Sequence, residues 1–400
     1  MRSKMKILPT ITVGHADADI VGTDNRALQA AVDYIAGLDG GTVEILPGTY
    51  LMNDSLHLRA NVTVRGTAGE TILLKSECSV SALGLDGDFG EEQVTVAAAA
   101  GFLPGYGVTV WDAGSGGFHT TVGRIIGTDG NTLAIDTPLN ADCMVSNDAK
   151  AATVFPVVSG TNIEGARIES LTIDGNRGHN VHLNGCRGAG IYLYRGFGTM
   201  VRDCVVRNFN GDGISFQQSN DVIVENCVSE NNASLGLHPG SGSQRATIRG
   251  CRATGNGEDG LFLCWRVRHG VFESNFLENN GRFGISIGHK DSDNLIAKNL
   301  VRSNHGDGIF FRNESLGMAG HRNRVEDNVI EDNGRDNPVA GIRIRGEAKD
   351  LVFKNNTIRD TRIGDARLQT SGILIEENVG CVNLNGNNIE AEQALVDQRE

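Results

Sequence analysis

The stretch GDGISFQQSNDVIVENCVSENNA, Gly211 to Ala233, decides the architecture. Gly213-Ile-Ser-Phe216 and Asp221-Val-Ile-Val224 follow a period of two, and Cys227-Val-Ser229 adds a third short run. Runs this short do not make helices, and the Asn- and Gly-rich segments between them read as turns. Three brief strands closed by turns are one rung of a parallel β-helix, a coil that buries its apolar face only against copies of itself.

Copies are present. A Gly-aliphatic step returns at Gly190, Gly213, Gly236, Gly260, Gly284, Gly308, Gly341 and Gly372, at spacings of 23, 23, 24, 24, 24, 33 and 31 residues. A fixed period in this range marks a solenoid. Alternation directs Ile191, Ile214, Leu237, Leu261, Ile285, Ile309, Ile342 and Ile373 inward as one stack, with Leu193, Phe216, Pro239, Leu263, Ile287, Phe311, Ile344 and Ile375 as a second. Cys204, Cys227 and Cys251 form a further column, continued by Asn275, Asn299, Asn328, Asn356 and Asn388. Asn232, Asn256, Asn280, Asn304 and Asn333 form another. Stacked amides bond along the axis and satisfy turn backbone, so both columns are expected to be structural.

Four hundred residues at 39% apolar content support a sizeable core, and 53 Gly against 7 Pro suits a turn-dense solenoid. Of eight Cys, three lie at rung spacing. Stacked Cβ atoms there stand about 4.8 Å apart against the ~3.8 Å a disulfide prefers, so buried free thiols are expected. No apolar run reaches membrane-spanning length, which argues against a membrane partner. Met1-Arg-Ser-Lys-Met-Lys-Ile-Leu-Pro9 lacks the apolar stretch of a signal peptide. The expectation is a cytoplasmic protein, or a secreted or periplasmic one whose signal has been removed.

Residues 1–92 read as a capping helix with the first rungs. Thr23 or Asp24 caps Asn25–Ile35, which Gly37 and Gly40-Gly41 end. Strands follow at Thr42–Ile45 and Val62–Arg65, with Leu46–Tyr50 as the turn between them. A helix there covers a strand edge that would otherwise invite aggregation. Residues 93–155 break the rhythm and read as an inserted antiparallel subdomain around Asp129-Gly-Asn131, which either walls a groove or is plain structure. Residues 156–392 form the main β-helix and 393–400 a C-terminal tail.

The segment Asp24–Tyr50, with Gly40-Gly-Thr-Val-Glu-Ile-Leu-Pro-Gly-Thr-Tyr50 followed by β rungs, resembles the start of the pectate-lyase-like right-handed β-helix superfamily. Leu171-Thr-Ile-Asp-Gly-Asn-Arg177 and the rungs from Leu235 to Asn280 are most similar to the catalytic module of bacterial mannuronan C5-epimerases. The resemblance covers most of the chain outside 93–155. It implies an all-β, right-handed, single-stranded parallel β-helix with an N-terminal capping helix and an inserted β subdomain. Where that family carries Tyr-Gly-Phe-Asp-Pro-His, this chain reads Leu235-Gly236-Leu237-His238-Pro239-Gly240, and a further family Asp falls near Cys264. The epimerase reaction therefore does not carry over. The place of the site does: the resemblance implies a sugar-binding groove on the outward face of the Gly-aliphatic sheet.

Pleat alternation aims three columns at that face: Asp212, Asp259 and Asp307; then Tyr192, Ser215, His238, Phe262, Ser286, Phe310 and Arg343; then Tyr194, Gln217, Cys264, Arg312 and Arg345. Beyond the strand ends come Arg195, Trp265-Arg266, His289-Lys290-Asp291 and Asn313-Glu314. Net charge is −13, yet Arg266, Lys290, Arg312, Arg343 and Arg345 cluster here, which favours an anionic glycan over nucleic acid. Tyr192, Tyr194, Gln217, Trp265, Arg266, Phe310, Arg343 and Arg345 are the expected substrate contacts, offering sugar platforms and carboxylate forks.

Two chemistries fit. In lyase- or epimerase-type attack on a uronate, His238, His289 or Lys290 removes the C5 proton while Arg312 or Arg266 neutralises the carboxylate. In inverting hydrolysis, Asp259 and Asp307 stand roughly 9.6 Å apart, with Asp291 and Glu314 as further carboxylates. A non-catalytic glycan-binding protein is the third reading. Asp-Gly before a strand is also a common turn choice. Asp291-Ser-Asp293-Asn294 is the one stretch with Ca²⁺ ligands, but it lacks the loop's Gly and terminal Glu and reads better as a turn. No other metal or cofactor is expected.

Overall fold

The computed structural model describes residues 8–399, so Met1–Ile7, most of the segment read for a signal peptide, lies outside the described residues. Three parallel sheets of 13, 11 and 11 strands wind around one core as a right-handed parallel β-helix. One of the 11-stranded sheets starts at Leu56–His57, continues through Val158–Glu164, Ala189–Phe197 and Asp212–Gln217, and holds every Gly-aliphatic strand. It is called the groove sheet below.

Register explains its regularity. Ile191, Ile214, Leu237, Leu261, Ile285, Ile309, Ile342 and Ile373 pair in unbroken sequence. All are buried in the core. The two longer spacings are absorbed in turns, because Ile309 still pairs directly with Ile342 and Ile342 with Ile373. A one-residue slip would turn every one of these side chains out to water, which is why the register holds.

Amide ladders run beside the core. Asn232 donates to Asn256, Asn256 to Asn280, Asn280 to Asn304 and Asn304 to Asn333 at 2.9–3.0 Å, and the column ends on Gln369 at 2.8 Å. The second column runs Asn275, Asn299, Asn328, Asn356 and ends on Asn387. That corrects Asn388: Thr357 pairs with Asn388, so the residue beneath Asn356 is one earlier. Cys204, Cys227 and Cys251 head this column as buried free thiols.

Helix Asn25–Ala36 is capped by Asp24, whose side chain accepts from Arg26 N. It buries Leu28, Ala31, Val32 and Ile35 over the first strands. The expected turn Leu46–Tyr50 is shorter, since Gly48–Met52 is a strand that pairs with Thr71–Lys75. Tyr50 points into the core and bonds Leu46 O at 2.9 Å. A six-stranded antiparallel sheet interrupts the solenoid and has its own core around Val108, Val110, Ile125 and Leu133. It begins at Val80, earlier than the sequence rhythm indicates, because Val80–Ala82 pairs with Lys150–Ala152. At the other end Gln393–Asp397 is no loose tail: it pairs with the strand Gln369–Ile375.

Candidate functional site

Inward positions of the groove sheet build the core, so its outward positions are what chemistry can use. The acidic column is not among them. Asp212, Asp259 and Asp307 are 2%, 0% and 4% exposed. Each accepts a backbone N–H from the next rung: Leu235 at 3.1 Å, Phe283 at 3.0 Å and Ala340 at 2.8 Å. Arg282 clamps Asp259 with two bonds of 2.7 and 2.9 Å. Burial raises the Asp307 carboxyl above its usual range, against the pull of Ala340 N–H, Arg343 and Arg345. Asp259 and Asp307 hold the turn into the following strand, which corrects their reading as carboxylates flanking a glycosidic bond.

His238 is also corrected. The segment His182–Gly188 lies over its rung: Gly185 O accepts from Ser215 Oγ at 2.7 Å, and Cys186 O from the Tyr192 hydroxyl at 2.6 Å. His238 is 3% exposed, with Nδ1 2.6 Å from Asp212 Oδ2. Burial opposes its charge, but the hydrogen bonds and charges of Asp212 and Cys264 outweigh that and raise its pKa to about 10. Gln217 is fully buried and donates to Ser215 Oγ at 3.0 Å, and Tyr192 is buried too. Pleat alternation gave their direction; it carried no sign of a second segment above them.

The strand-end turns do come together. Trp265-Arg266 and His289-Lys290 hold the same place on consecutive rungs, all four with positive φ between 47° and 68°. The same left-handed turn position recurs on earlier groove rungs at Arg195, Gln218 and Ser241, so it belongs to the rung geometry and sets where these side chains project. The repeated turn stacks the Trp265 and His289 rings, with centroids 5.2 Å apart and planes 25° apart. His289 Nε2 lies 2.8 Å from Glu314 Oε1 on the next rung. Burial and the Arg312 charge lower the His289 pKa, and Glu314 only partly offsets them. Neutral His289 thus donates Nε2–H to Glu314 and leaves Nδ1 enclosed, with its lone pair unpartnered among the described residues.

Arg312 sits beside this turn because Gly288 has no side chain; a Cβ there would meet the guanidinium Nε at 2.6 Å. It bonds Ser286 Oγ at 2.8 Å, Leu263 O at 2.7 Å and Asp291 Oδ2 at 3.0 Å, and lies 4.4 Å over the Phe262 ring. Burial pushes the Asp291 carboxyl up to about 7, against Arg312 and the N–H groups of Val267 and Gly288. Asp291 is therefore bound up with Arg312, Asp293 pairs with Arg322, and Asn294 belongs to an amide ladder. The stretch read for Ca²⁺ is a turn. Arg266 and Lys290 make no ion pair among the described residues, so both cations stay free for an anion.

Other expected contacts lie farther along. Arg343 and Arg345 both grip Glu376, at 2.8 and 3.0 Å, and overcome burial to hold its carboxyl below the usual range. Phe310 stacks on Phe283 at 4.1 Å. Tyr194 faces Phe118, in the short 3-10 turn Gly117–His119 of the insert, at 6.3 Å. A 470 Å³ cavity, lined by His238, Phe262, Arg282, Phe283, Phe310 and Arg312, continues the turn cluster along the groove. Sequence reasoning missed Arg282 and Phe283, although they stand directly before Gly284. It also missed a 370 Å³ cavity between the inserted sheet and the first groove strands, lined by Asp54, His57, Arg124, Ser159, Arg187 and Tyr194.

A family model described as "Right handed beta helix region" matches residues 157–318. The mannuronan C5-epimerase AlgE5 of Azotobacter vinelandii is 29% identical over 137 residues, which is 34% of this chain and 13% of that protein's length. The AlgE4 A-module, a mannuronan C-5 epimerase structure from the same organism, superposes with a TM-score of 0.61 at 15% identity, covering 96% of this chain and 97% of that one. Polygalacturonase from Erwinia carotovora ssp. carotovora superposes at 0.59 and 12% identity, covering 100% and 99%. At such identities the likeness is one of fold. Leu235, Leu237, His238, Gly240 and Cys264 depart from the epimerase pattern. The chain is a right-handed parallel β-helix of the pectate-lyase-like fold, the fold it shares with mannuronan C5-epimerase modules and a polygalacturonase.

Proposed function

We propose that this protein is a carbohydrate-active enzyme that binds an acidic polysaccharide along the groove sheet and acts on a uronate by a lyase- or epimerase-type reaction. One observation carries the reading: a neutral histidine, His289, is held by Glu314, stacked on Trp265, and neighboured by Arg312 and by Arg266 and Lys290, which make no ion pair among the described residues. Abstraction at C5 of a uronate needs a base that is unprotonated near neutral pH and a positive group for the enolate-like charge that develops. His289 meets the first need. Arg266, Lys290 and Arg312 meet the second, with Trp265, 44% exposed, as a platform for the sugar ring.

Inverting hydrolysis has less support, since Asp259 and Asp307 are enclosed and occupied by backbone. The names of the similar proteins, epimerase and polygalacturonase, agree with an acidic sugar polymer. The test is incubation with a panel of uronate and neutral polymers. Absorbance of unsaturated uronate means lyase, reducing ends alone mean hydrolase, and altered polymer NMR without either means epimerase. No change on any polymer, with binding retained, leaves a glycan-binding protein and refutes the catalytic reading.

A further inference from the structure

We propose a second catalytic centre, an ester hydrolase site, in the 370 Å³ cavity between the inserted sheet and the first groove strands. Its core is Asp54, His57 and Ser159. His57 Nε2 lies 2.9 Å from Asp54 Oδ2, and His57 Nδ1 lies 3.1 Å from Ser159 Oγ. Rung pairing builds the set from distant sequence. Leu56–His57 is the first strand of the groove sheet and pairs with Val158–Ser159, so His57 and Ser159 become outward neighbours 102 residues apart. Asp54 enters from the turn before them and is 4% exposed.

What separates this set from the polar ladders is its lack of structural duty. Asp212, Asp259, Asp307 and the asparagines each bond backbone. The Asp54 carboxylate and the Ser159 hydroxyl make no hydrogen bond except to His57 among the described residues. The buried carboxylate fixes the Nε2–H tautomer and leaves the Nδ1 lone pair for the serine O–H. Nucleophile, base and orienting acid in that order are what activates a serine. Arg187 lines the same cavity, is held by Phe118 O, and has no carboxylate partner among the described residues, so its charge is left for a developing oxyanion.

The substrate class is a carboxylic ester with a short acyl group, since the cavity is at the small end of ligand sites. Ser159 Oγ attacks the acyl carbon as its proton passes to His57 Nδ1. The C–O bond to the alcohol breaks, and the departing oxygen takes that proton. Water then attacks the acyl carbon and gives a proton to His57; the bond from that carbon to Ser159 Oγ breaks, Oγ takes the proton back from His57, and the acid leaves. If glycan fills the adjoining groove, the ester is an O-acyl substituent on it; that clause alone rests on the function proposed above.

The test uses the whole protein. A fluorophosphonate probe should label wild-type protein on the peptide containing Ser159, read by mass spectrometry, and should leave Ser159→Ala unlabelled. Hydrolysis of p-nitrophenyl acetate should fall by about 10²-fold or more in Ser159→Ala and His57→Ala, the usual scale for losing nucleophile or base. Absence of a Ser159 adduct in folded wild type overturns the proposal without any variant. So does hydrolysis that persists in Ser159→Ala. Neither outcome touches the uronate reaction, which is read on different substrates.

Discussion

His238 Nδ1 and Asp212 Oδ2 stand 2.6 Å apart with side chains 4% and 2% exposed, an ion pair buried beneath the segment His182–Gly188 at the edge of the groove cavity. Removing one partner strands a buried charge, so His238→Ala should cost about 3–5 kcal/mol of stability. The pH sense follows from the raised pKa. Folding favours protonated His238, so its contribution is complete below the unfolded value near 6.5 and fades as pH rises through about 10. Urea midpoints of wild type should decline between pH 7 and 10, and His238→Ala should flatten that slope. A variant as stable as wild type at pH 7 would sink the pair's role.

Ile285 lies in the middle of the unbroken inward stack and is fully buried. Ile285→Ala should cost roughly 2–5 kcal/mol from lost transfer energy and the cavity left behind. Unchanged unfolding would contradict the register.

Cys204, Cys227 and Cys251 are buried, whereas Cys381 is exposed. A thiol reagent added to native protein should modify Cys381 and spare the three, with or without reductant. Denaturation should expose all of them together. A disulfide among the three, found by mass spectrometry, would overturn the ladder.

Within the strand-end cluster, His289→Ala and Arg312→Ala should each lower turnover on an identified uronate polymer by about 10² or more. His289 is partly exposed, so its loss should cost little stability. Because folding lowers the His289 pKa, the acid-side fall in activity should lie below pH 6.5. Folded variants with full turnover would remove the site from this cluster.

Much of this was legible because β-helix physics is periodic. Ile191 through Ile373 could be placed inward from spacing alone, since each rung must present the same residue type to its neighbour. The asparagine columns were visible for the same reason, and the one slip, Asn388 for Asn387, came where the last rung's turn changed length. What periodicity could not show is contact between different columns. Asp259 and Asp307 looked outward, but their backbone partners sit on the next rung. His238 looked exposed because nothing in its own repeat announces the cover at Gly185. The left-handed turns did have a signal, Trp265-Arg266 and His289-Lys290 recurring at one offset from Gly260 and Gly284. Asp54, His57 and Ser159 had none, being joined across the insert by strand order.

That insert has a consequence for how fast the chain assembles. The rungs before and after it must meet across a long excursion, and closing so long a loop costs on the order of 4 kcal/mol of chain entropy. Its own first strand, Val80–Ala82, pairs with its last, Lys150–Ala152, around a separate core. Once that sheet forms, its two ends are already side by side, and the loop left to close shrinks to the 22 residues 58–79 on one flank and the five residues 153–157 on the other. The insert then works as a clasp that delivers Leu56–His57 to Val158–Ser159. In refolding, its amides should gain exchange protection before those of Leu56–His57, and disrupting its core at Val110 should slow docking of the first rungs more than it slows the rungs around Ile285.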